Sequence, residues 1–251
     1  MTRPKSYIIC TSPRSGSTML CKLLAATKVA GHPASLFHQP SIEAWLKDYA
    51  LDATPYASRQ AALAGILEAA RVRGRGETDV FGLRLQRGSV AFFLDQLRIL
   101  FPDRPSDVAR IEDAFGPTIF IFLSRRDKLD QAISYIRAEQ TGLWHRNADG
   151  TILERQGIRR EDGFDLMAIR AQMAEFAGYD VAWRSWFDAQ SIRPLDLSYE
   201  QLTQEPQRHL ADILRALGED SAIAQTIPVQ TAKLADEISR AWRARFVSET
   251  A

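Results

Sequence analysis

Short apolar runs, each followed by a helical pattern, recur along this chain of 251 residues. Residues 6–10, 80–85, 118–123 and 194–197 are such runs, and their spacing is typical of buried strands that precede helices. Strands that alternate with helices form parallel sheets covered on both faces. The sequence therefore predicts an α/β fold with a central parallel sheet and helices on both faces.

The helices expected after the second and third strands cover about residues 90–100 and 129–140, and Gly218 is the predicted C-terminal cap of the helix that follows the fourth strand. Ligands of such sheets bind at the carboxyl ends of the strands, so the turns after these runs are the predicted functional edge. The polar stretch 147–162 is expected to be a loop over that edge.

Composition points to a single domain spanning residues 1–251. The chain is 45% hydrophobic and 25% charged, which suits one sizeable core. Lys plus Arg number 32 against 31 Asp plus Glu, so there is no overall basic field of the kind that favours nucleic-acid binding. An anionic ligand must therefore be held by local arginines.

The two cysteines, Cys10 and Cys21, have no metal-ligand spacing, which favours a reducing compartment and predicts no metal site. The apolar run near the start of the sequence is too short for a signal peptide. No apolar run approaches the roughly 20 residues of a membrane span. We therefore expect a cytoplasmic protein with no membrane-spanning segment.

The most informative motif lies between the first strand and the first helix. Small residues there allow successive backbone N–H groups and a helix N-terminus to point at one oxyanion, and hydroxyls add donors. The predicted anion-binding residues are Pro13, Arg14, Ser15, Gly16, Ser17 and Thr18. An ordinary Ser-rich turn that caps a helix is the alternative.

This loop departs from that of the nucleotide triphosphatases, which reads GxxxxGK[ST]. Thr11 occupies the first glycine position and Ser17 the lysine position. The third strand ends in Ser124-Arg125-Arg126 rather than in an aspartate that would hold Mg²⁺. A metal-dependent small-molecule kinase is therefore disfavoured, although it remains an alternative.

The segment Ser12-Pro13-Arg14-Ser15-Gly16-Ser17-Thr18-Met19-Leu20 resembles the 5′-phosphosulfate loop of sulfotransferases that use 3′-phosphoadenosine-5′-phosphosulfate (PAPS). More narrowly, the chain resembles the bacterial trehalose 2-sulfotransferase family, with further matching stretches at residues 31–33, 82–85, 125–134, 137–141, 183–187 and 194–199. The resemblance implies the sulfotransferase fold, PAPS as co-substrate without a metal, a carbohydrate or glycolipid acceptor, and a homodimer.

A second anion site is predicted where Arg125 ends the third strand and Ser134 lies about two helical turns further on. The resemblance implies that these two residues bind the nucleotide 3′-phosphate. Basic C-terminal segments of the superfamily close over the nucleotide, which suggests the same role for Lys233. A surface lysine is the alternative.

The leaving phosphate gains negative charge during sulfuryl transfer, so the reaction needs positive charge beside it. Arg14 is the predicted source of that positive charge. Arg84 aligns with a family lysine and is expected to face the transferring group, although a solvated strand-end charge is the alternative. Arg14 and Arg84 are therefore the two predicted catalytic cations.

The acceptor hydroxyl must also lose a proton to a base. The family carries a Gly-Glu-Pro motif and then a second glutamate regarded as that base, whereas this chain has Ser35 at the second position. We consider His32 and His38 as replacements because imidazole accepts protons near neutral pH, and Glu43 as a weaker candidate. A catalytically inactive nucleotide-binding protein of the same fold therefore stays open.

Overall fold

The computed structural model describes residues 5–53, 55–146, 151–155, 163–229 and 236–251. The strands are β1 (Ser6–Thr11), β2 (Phe81–Gln86), β3 (Thr118–Ser124), β4 (Leu143–Arg146), β5 (Ile152–Arg155) and β6 (Leu195–Ser198). The helices are α1 (Ser17–Ala26), α2 (Ile42–Asp48), α3 (Arg59–Arg75), α4 (Arg87–Leu100), α5 (Asp107–Phe115), α6 (Lys128–Thr141), α7 (Leu166–Ala189), α8 (Tyr199–Gln204), α9 (Pro206–Leu217) and α10 (Glu237–Thr250), with a 3₁₀ helix at Ser221–Thr226.

Four strands form one parallel sheet in the order β2-β1-β3-β6. Side chains alternate across a strand, and β1 shows this directly: Ile8 and Cys10 enter one core, while Tyr7 and Ile9 enter the other. The first core takes side chains from α3, α4, α5 and α7, and the second from α1, α8 and α9. Both faces of the sheet are therefore covered, and the predicted α/β fold is confirmed.

Four helices begin at the carboxyl edge of this sheet. Helices α4 and α8 begin directly after β2 and β6, α6 begins four residues after the end of β3, and α1 begins after the loop that follows β1. Helix N-termini carry unsatisfied N–H groups and partial positive charge, so this edge suits an anion. A third apolar cluster, formed by α6, α7 and α10, packs beside it.

The predicted strands match the observed ones to within a residue or two, and Gly218 ends α9 in the left-handed conformation expected of a C-terminal cap. The pattern did not predict α2, α3, α5, α7 or the antiparallel β4–β5 pair. Most of the loop expected at 147–162 lies outside the described residues. No helix in the described ranges is both long and apolar enough to cross a membrane.

Candidate active site

The loop between β1 and α1 turns sharply because two of its residues have positive φ. Arg14 has φ 63° and Gly16 has φ 84°. A Cβ on Gly16 would lie 2.6 Å from Cδ2 of Tyr199, so this position requires glycine for space as well as for conformation. Gly16 is also the N-cap of α1 and has no side chain to satisfy the first-turn N–H groups. The first-turn N–H groups of α1 therefore have no side-chain cap from Gly16, which suits the anion-binding role expected of this loop.

Neighbouring elements hold this loop by bonds to its oxygens. Gln131 of α6 donates from Nε2 to Pro13 O at 2.7 Å and to Ser12 Oγ at 3.0 Å. Trp183 of α7 donates from Nε1 to Thr11 O at 3.0 Å. These groups are buried or partly buried, so the bonds fix the position of the loop relative to α6 and α7.

Arg14 reaches from the loop to α6. Its Nε donates to Ser134 Oγ at 2.9 Å, and its Nη1 donates to Trp144 O at 2.5 Å. The structure thus brings together one residue from each of the two predicted anion sites. A ligand with two phosphate-like groups would span these residues.

Arg125 lies against the same loop, and one of its guanidinium N–H groups has no acceptor among the described residues. Its Nη1 is 3.4 Å from Arg14 O, its Cζ lies 4.6 Å from the ring centroid of Tyr199, and its Nη2 is 3.7 Å from Asp130 Oδ2. Its Nε is buried and has no hydrogen-bond partner among the described residues. A buried guanidinium N–H without a partner suits an added anion, because unsatisfied buried donors are costly.

Arg84 forms a separate group on the β2 side of the loop. Its Nη1 donates to Thr18 Oγ1 at 2.8 Å and its Nε donates to Ser35 Oγ at 2.8 Å. Ser35 is placed there because Ala34 forms a parallel bridge to Leu83 and accepts from Arg84 N at 3.0 Å. The structure therefore places both Arg84 and Ser35 beside the anion loop.

The two candidate histidines lie elsewhere on this segment. His32 precedes Ser35 along a segment that runs parallel to β2, so His32 lies towards the amino end of that strand. Its backbone N–H donates to Gly74 O there, at 2.8 Å. His32 is exposed, as is His38, which follows the buried Phe37. The structure does not bring His32 to Arg14 or Arg84. Lys233 lies outside the described residues.

Glu200 is a functional neighbour that the sequence analysis missed. Its carboxylate accepts from the backbone N–H groups of Arg126 and Asp127 at 3.1–3.2 Å. Burial raises the pKa of Glu200, but these hydrogen bonds and the charge of Arg125 outweigh it, so the pKa is lowered. The ionised carboxylate thereby fixes the turn that carries Arg125. Its position directly after β6 at the functional edge was the available signal.

Gln86 and Arg87 were also missed. They follow one another at the carboxyl end of β2, and Gln86 is paired in register with Thr11 at the start of the loop. Gln86 Oε1 and Arg87 Nε are buried and have no hydrogen-bond partner in the described part of the chain. An unpaired acceptor and an unpaired donor at this edge leave two hydrogen bonds that a ligand can make.

The fold and these arginines suit the binding of a phosphate-like anion at the carboxyl edge of a parallel sheet. In the described ranges, no three His, Cys, Asp or Glu side chains are grouped as metal ligands. Arginines and helix N-termini at one edge of a parallel sheet are the arrangement expected of an enzyme that acts on an anionic substrate.

Comparison with known proteins makes the class specific. The model of the Stf0 sulphotransferase family matches residues 6–249, and the chain belongs to that family. A trehalose 2-sulfotransferase of Mycolicibacterium smegmatis is 28% identical over 261 aligned positions, which cover 97% of this chain and 94% of that protein. One of Mycobacterium tuberculosis is 28% identical over 271 positions, which cover 98% and 95%.

Among solved structures, a sulfotransferase from Alicyclobacillus acidocaldarius aligns with 99% of this chain and 93% of its own, with a TM-score of 0.44 and 13% identity. The family membership establishes the chain as a sulfotransferase. It also confirms the resemblance on which the sequence analysis relied.

Proposed function

We propose that this enzyme transfers the sulfuryl group of PAPS to a hydroxyl of a carbohydrate, and that its two anion sites hold the two phosphate-bearing ends of the nucleotide. The 5′-phosphosulfate lies in the loop formed by residues 13–18, and the 3′-phosphate lies at Arg125 and Ser134. The observation that carries this proposal is the 2.9 Å hydrogen bond between Arg14 Nε and Ser134 Oγ. It puts the two predicted sites within the length of one arginine side chain of each other.

The roles of the residues follow from where negative charge develops during the transfer. The acceptor oxygen forms a bond to sulfur, the bond from sulfur to the 5′-phosphate oxygen breaks, and adenosine 3′,5′-bisphosphate leaves with the bonding electrons. Negative charge therefore grows on the leaving phosphate, where Arg14 and the N–H groups of α1 stabilise it. Arg84 and Thr18 are bonded to each other at the α1 end of the loop, where they can contact the oxygens of the transferring group.

The nucleotide when bound supplies the activated sulfuryl group, and this chain supplies orientation. Arg125 has its buried Nε available, and Ser134 has a hydroxyl that donates as well as accepts. These donors distinguish a nucleotide that carries a 3′-phosphate from ATP or ADP, which lack one. The proposed selectivity thus depends on charge-assisted hydrogen bonds.

We also propose that the acceptor is a sugar with free hydroxyls, of which trehalose is the first to test, because two similar proteins are named for that activity. A glycolipid that carries such a sugar belongs to the same class of acceptor.

The cytoplasm and a homodimer remain our proposals for location and assembly, and light scattering of the purified chain tests the proposed homodimer. Lys233 remains a proposed contact of the nucleotide.

Calorimetry with adenosine 3′,5′-bisphosphate, ADP and ATP–Mg²⁺ tests the proposed donor site. The bisphosphate should bind most tightly in the presence of a chelator, and the two nucleotides without a 3′-phosphate should bind more weakly. Tighter binding of ATP–Mg²⁺ would favour the small-molecule kinase. Binding of the bisphosphate without any sulfate transfer would favour the inactive nucleotide-binding protein.

A further inference from the structure

A carboxylate on α7 is held in a fixed position near the proposed site. Tyr179 donates from Oη to Glu175 Oε1 at 2.5 Å, and Gln172 donates from Nε2 to Glu175 Oε2 at 2.7 Å. Each carboxylate oxygen has about two lone-pair positions, so each oxygen of Glu175 can still accept one further proton or hydrogen bond. The carboxylate is exposed, so a ligand can reach it, and both of its oxygens are hydrogen-bonded within α7.

The position of α7 relative to the anion loop is fixed by Trp183, whose Nε1 donates to Thr11 O. Tyr179 lies one helical turn before Trp183, about 6 Å along the axis. A Cβ on Gly88 would lie 3.9 Å from Tyr179 Oη. Because Gly88 is in the first turn of α4, the Tyr179 hydroxyl lies near the carboxyl end of β2, at the same edge as the loop.

The groups around this hydroxyl are polar and partly unpaired. The Cζ of Arg87 lies 5.7 Å from the ring centroid of Trp183, and its Nε is one of the buried atoms without a partner in the described residues. Burial lowers the pKa of Arg87, and its interaction with Tyr179 opposes that shift. Gln86 contributes an unpaired acceptor beside it. Sugar hydroxyls both donate and accept, so they match this pair.

A second phenol connects these groups to Arg14. Tyr135 adjoins Ser134 in α6 and packs edge-on against Trp144, whose carbonyl accepts from Arg14 Nη1. Burial and a hydrogen bond to Glu139 raise the pKa of Tyr135, and Glu175 and Tyr179 raise it further. Burial, followed by the bond to Glu175, raises the pKa of Tyr179 to about 12. Both phenols therefore keep their protons at neutral pH, and Tyr179 stays a donor to Glu175.

We propose that the Glu175 carboxylate, held by Tyr179 beside Arg87, is the base that takes the proton from the acceptor hydroxyl. The proton moves to Glu175 as the acceptor oxygen bonds to sulfur, and the bond from sulfur to the 5′-phosphate breaks. Arg87 and Gln86 bind neighbouring hydroxyls of the sugar and orient the reacting one. Tyr179 is a positioning residue in this scheme.

This assignment rests on the proposed sulfuryl transfer and explains how the enzyme works with serine at position 35. The Ser35 hydroxyl already accepts from Arg84, and an alcohol does not take up a proton at neutral pH. The Glu175 carboxylate on α7 supplies the missing function. Neither histidine is needed for it.

The test compares Glu175→Gln, Tyr179→Phe and wild type, with radiolabelled PAPS and a panel of sugars that includes trehalose. The Gln variant keeps the shape of the side chain and removes the basic group, so kcat should fall by about 10²–10⁴, the usual worth of a general base. The KM for PAPS and the affinity for adenosine 3′,5′-bisphosphate should stay within about twofold. Tyr179→Phe should lower kcat less and shift the pH profile of kcat, because it removes a donor to the base.

Asp188→Asn is the matched control, because Asp188 is an exposed acid on the same helix. The Asp188→Asn variant should leave kcat unchanged.

Hydrolysis of PAPS, with water in place of the sugar hydroxyl, is measured in the same variants and should fall in Glu175→Gln as transfer does. Wild-type kcat in Glu175→Gln would overturn the assignment. Bisphosphate binding without transfer or hydrolysis in wild type would contradict the proposed function itself.

Discussion

Arg14 and Ser134 are joined by a hydrogen bond of 2.9 Å, although 120 positions separate them in the chain. One residue belongs to the loop after β1 and the other to the helix after β3. These elements meet because β1 and β3 are adjacent parallel strands, so their following segments leave the sheet at the same edge. The contact brings the two predicted anion-binding motifs together.

The first prediction concerns the 3′-phosphate. Arg125→Ala combined with Ser134→Ala should weaken adenosine 3′,5′-bisphosphate by about 10–100-fold, since hydrogen bonds to charged groups are worth roughly 1.5–3 kcal/mol. ADP, which lacks the 3′-phosphate, should bind the variant and the wild type alike. Calorimetry measures both.

Arg126→Ala is the control for that variant, because Arg126 has an exposed side chain beside Arg125. It should retain wild-type affinity for the bisphosphate. Equal affinity of the double variant and the wild type for the bisphosphate would remove Arg125 and Ser134 from the nucleotide site.

The second prediction separates catalysis from binding at Arg14. Arg14→Ala should lower kcat by about 10²–10³, because its charge matters most as the leaving phosphate gains charge, and should weaken the bisphosphate far less. Arg14→Lys keeps the charge and should recover part of kcat. Steady-state kinetics and calorimetry on the same preparations give the two numbers. Parallel losses in rate and affinity would mean that Arg14 only binds.

The third prediction concerns the shape of the loop. Gly16→Ala should destabilise the fold by about 1–3 kcal/mol, because alanine would be held at φ 84° and would meet the ring of Tyr199. Gly178→Ala, at an exposed position of helix α7 with nothing within 4 Å of the added Cβ, is the control. It should stabilise the fold by about 0.4–1 kcal/mol. Thermal melts that rank the two variants in the opposite order would contradict this description of the loop.

The fold was predictable from sequence to a greater extent than the site. The buried strands are recognisable as apolar runs because both faces of each strand are covered. The loop is recognisable because glycine and small hydroxyl residues follow a strand. The contact from Arg14 to Ser134 depends on side-chain direction and on the packing of α6. No pattern of residue types encodes those features.

The pair Glu175 and Tyr179 was not predictable for a related reason. Both lie on a 24-residue helix that packs against α6 and contacts the loop through the buried Trp183. Their spacing of four residues shows only that they share a face of the helix. The replacement of the family glutamate by Ser35, in contrast, was visible in the sequence, and the structure shows Ser35 beside Arg84.

The fourth prediction tests the histidines against the carboxylate. His32→Ala and His38→Ala should each keep kcat within about threefold of wild type, because His32 lies towards the amino end of β2 and the base is assigned to Glu175. Initial rates with PAPS and trehalose measure this. A loss of about 10² or more in either variant, with an unchanged melting temperature, would return the role of base to that histidine.

The fifth prediction concerns acid stability of the C-terminal helix. Asp236 caps α10 and accepts from Arg137; burial raises its pKa, but these bonds and the charge of Arg137 lower it to about 2. A carboxyl whose folded pKa lies below its unfolded value of about 3.9 stabilises the fold above that value. This stability is lost as pH falls from about 4 to about 2.

Asp236→Asn should therefore show a smaller drop in melting temperature between pH 5 and pH 3 than wild type shows. Asp212→Asn, an exposed acid paired with Arg215 on α9, is the control and should behave as wild type does. An identical pH dependence in Asp236→Asn and wild type would remove Asp236 from the acid response.

Sulfuryl transfer from PAPS is tested by following both products of one reaction. Wild-type enzyme is incubated with PAPS and trehalose in the presence of a chelator, and mass spectrometry records the sugar and the nucleotide. We expect a sugar heavier by one SO₃ group, formed in equal amount to adenosine 3′,5′-bisphosphate. PAPS that remains intact with every sugar on the panel, while ATP–Mg²⁺ phosphorylates one of them, would contradict this expectation.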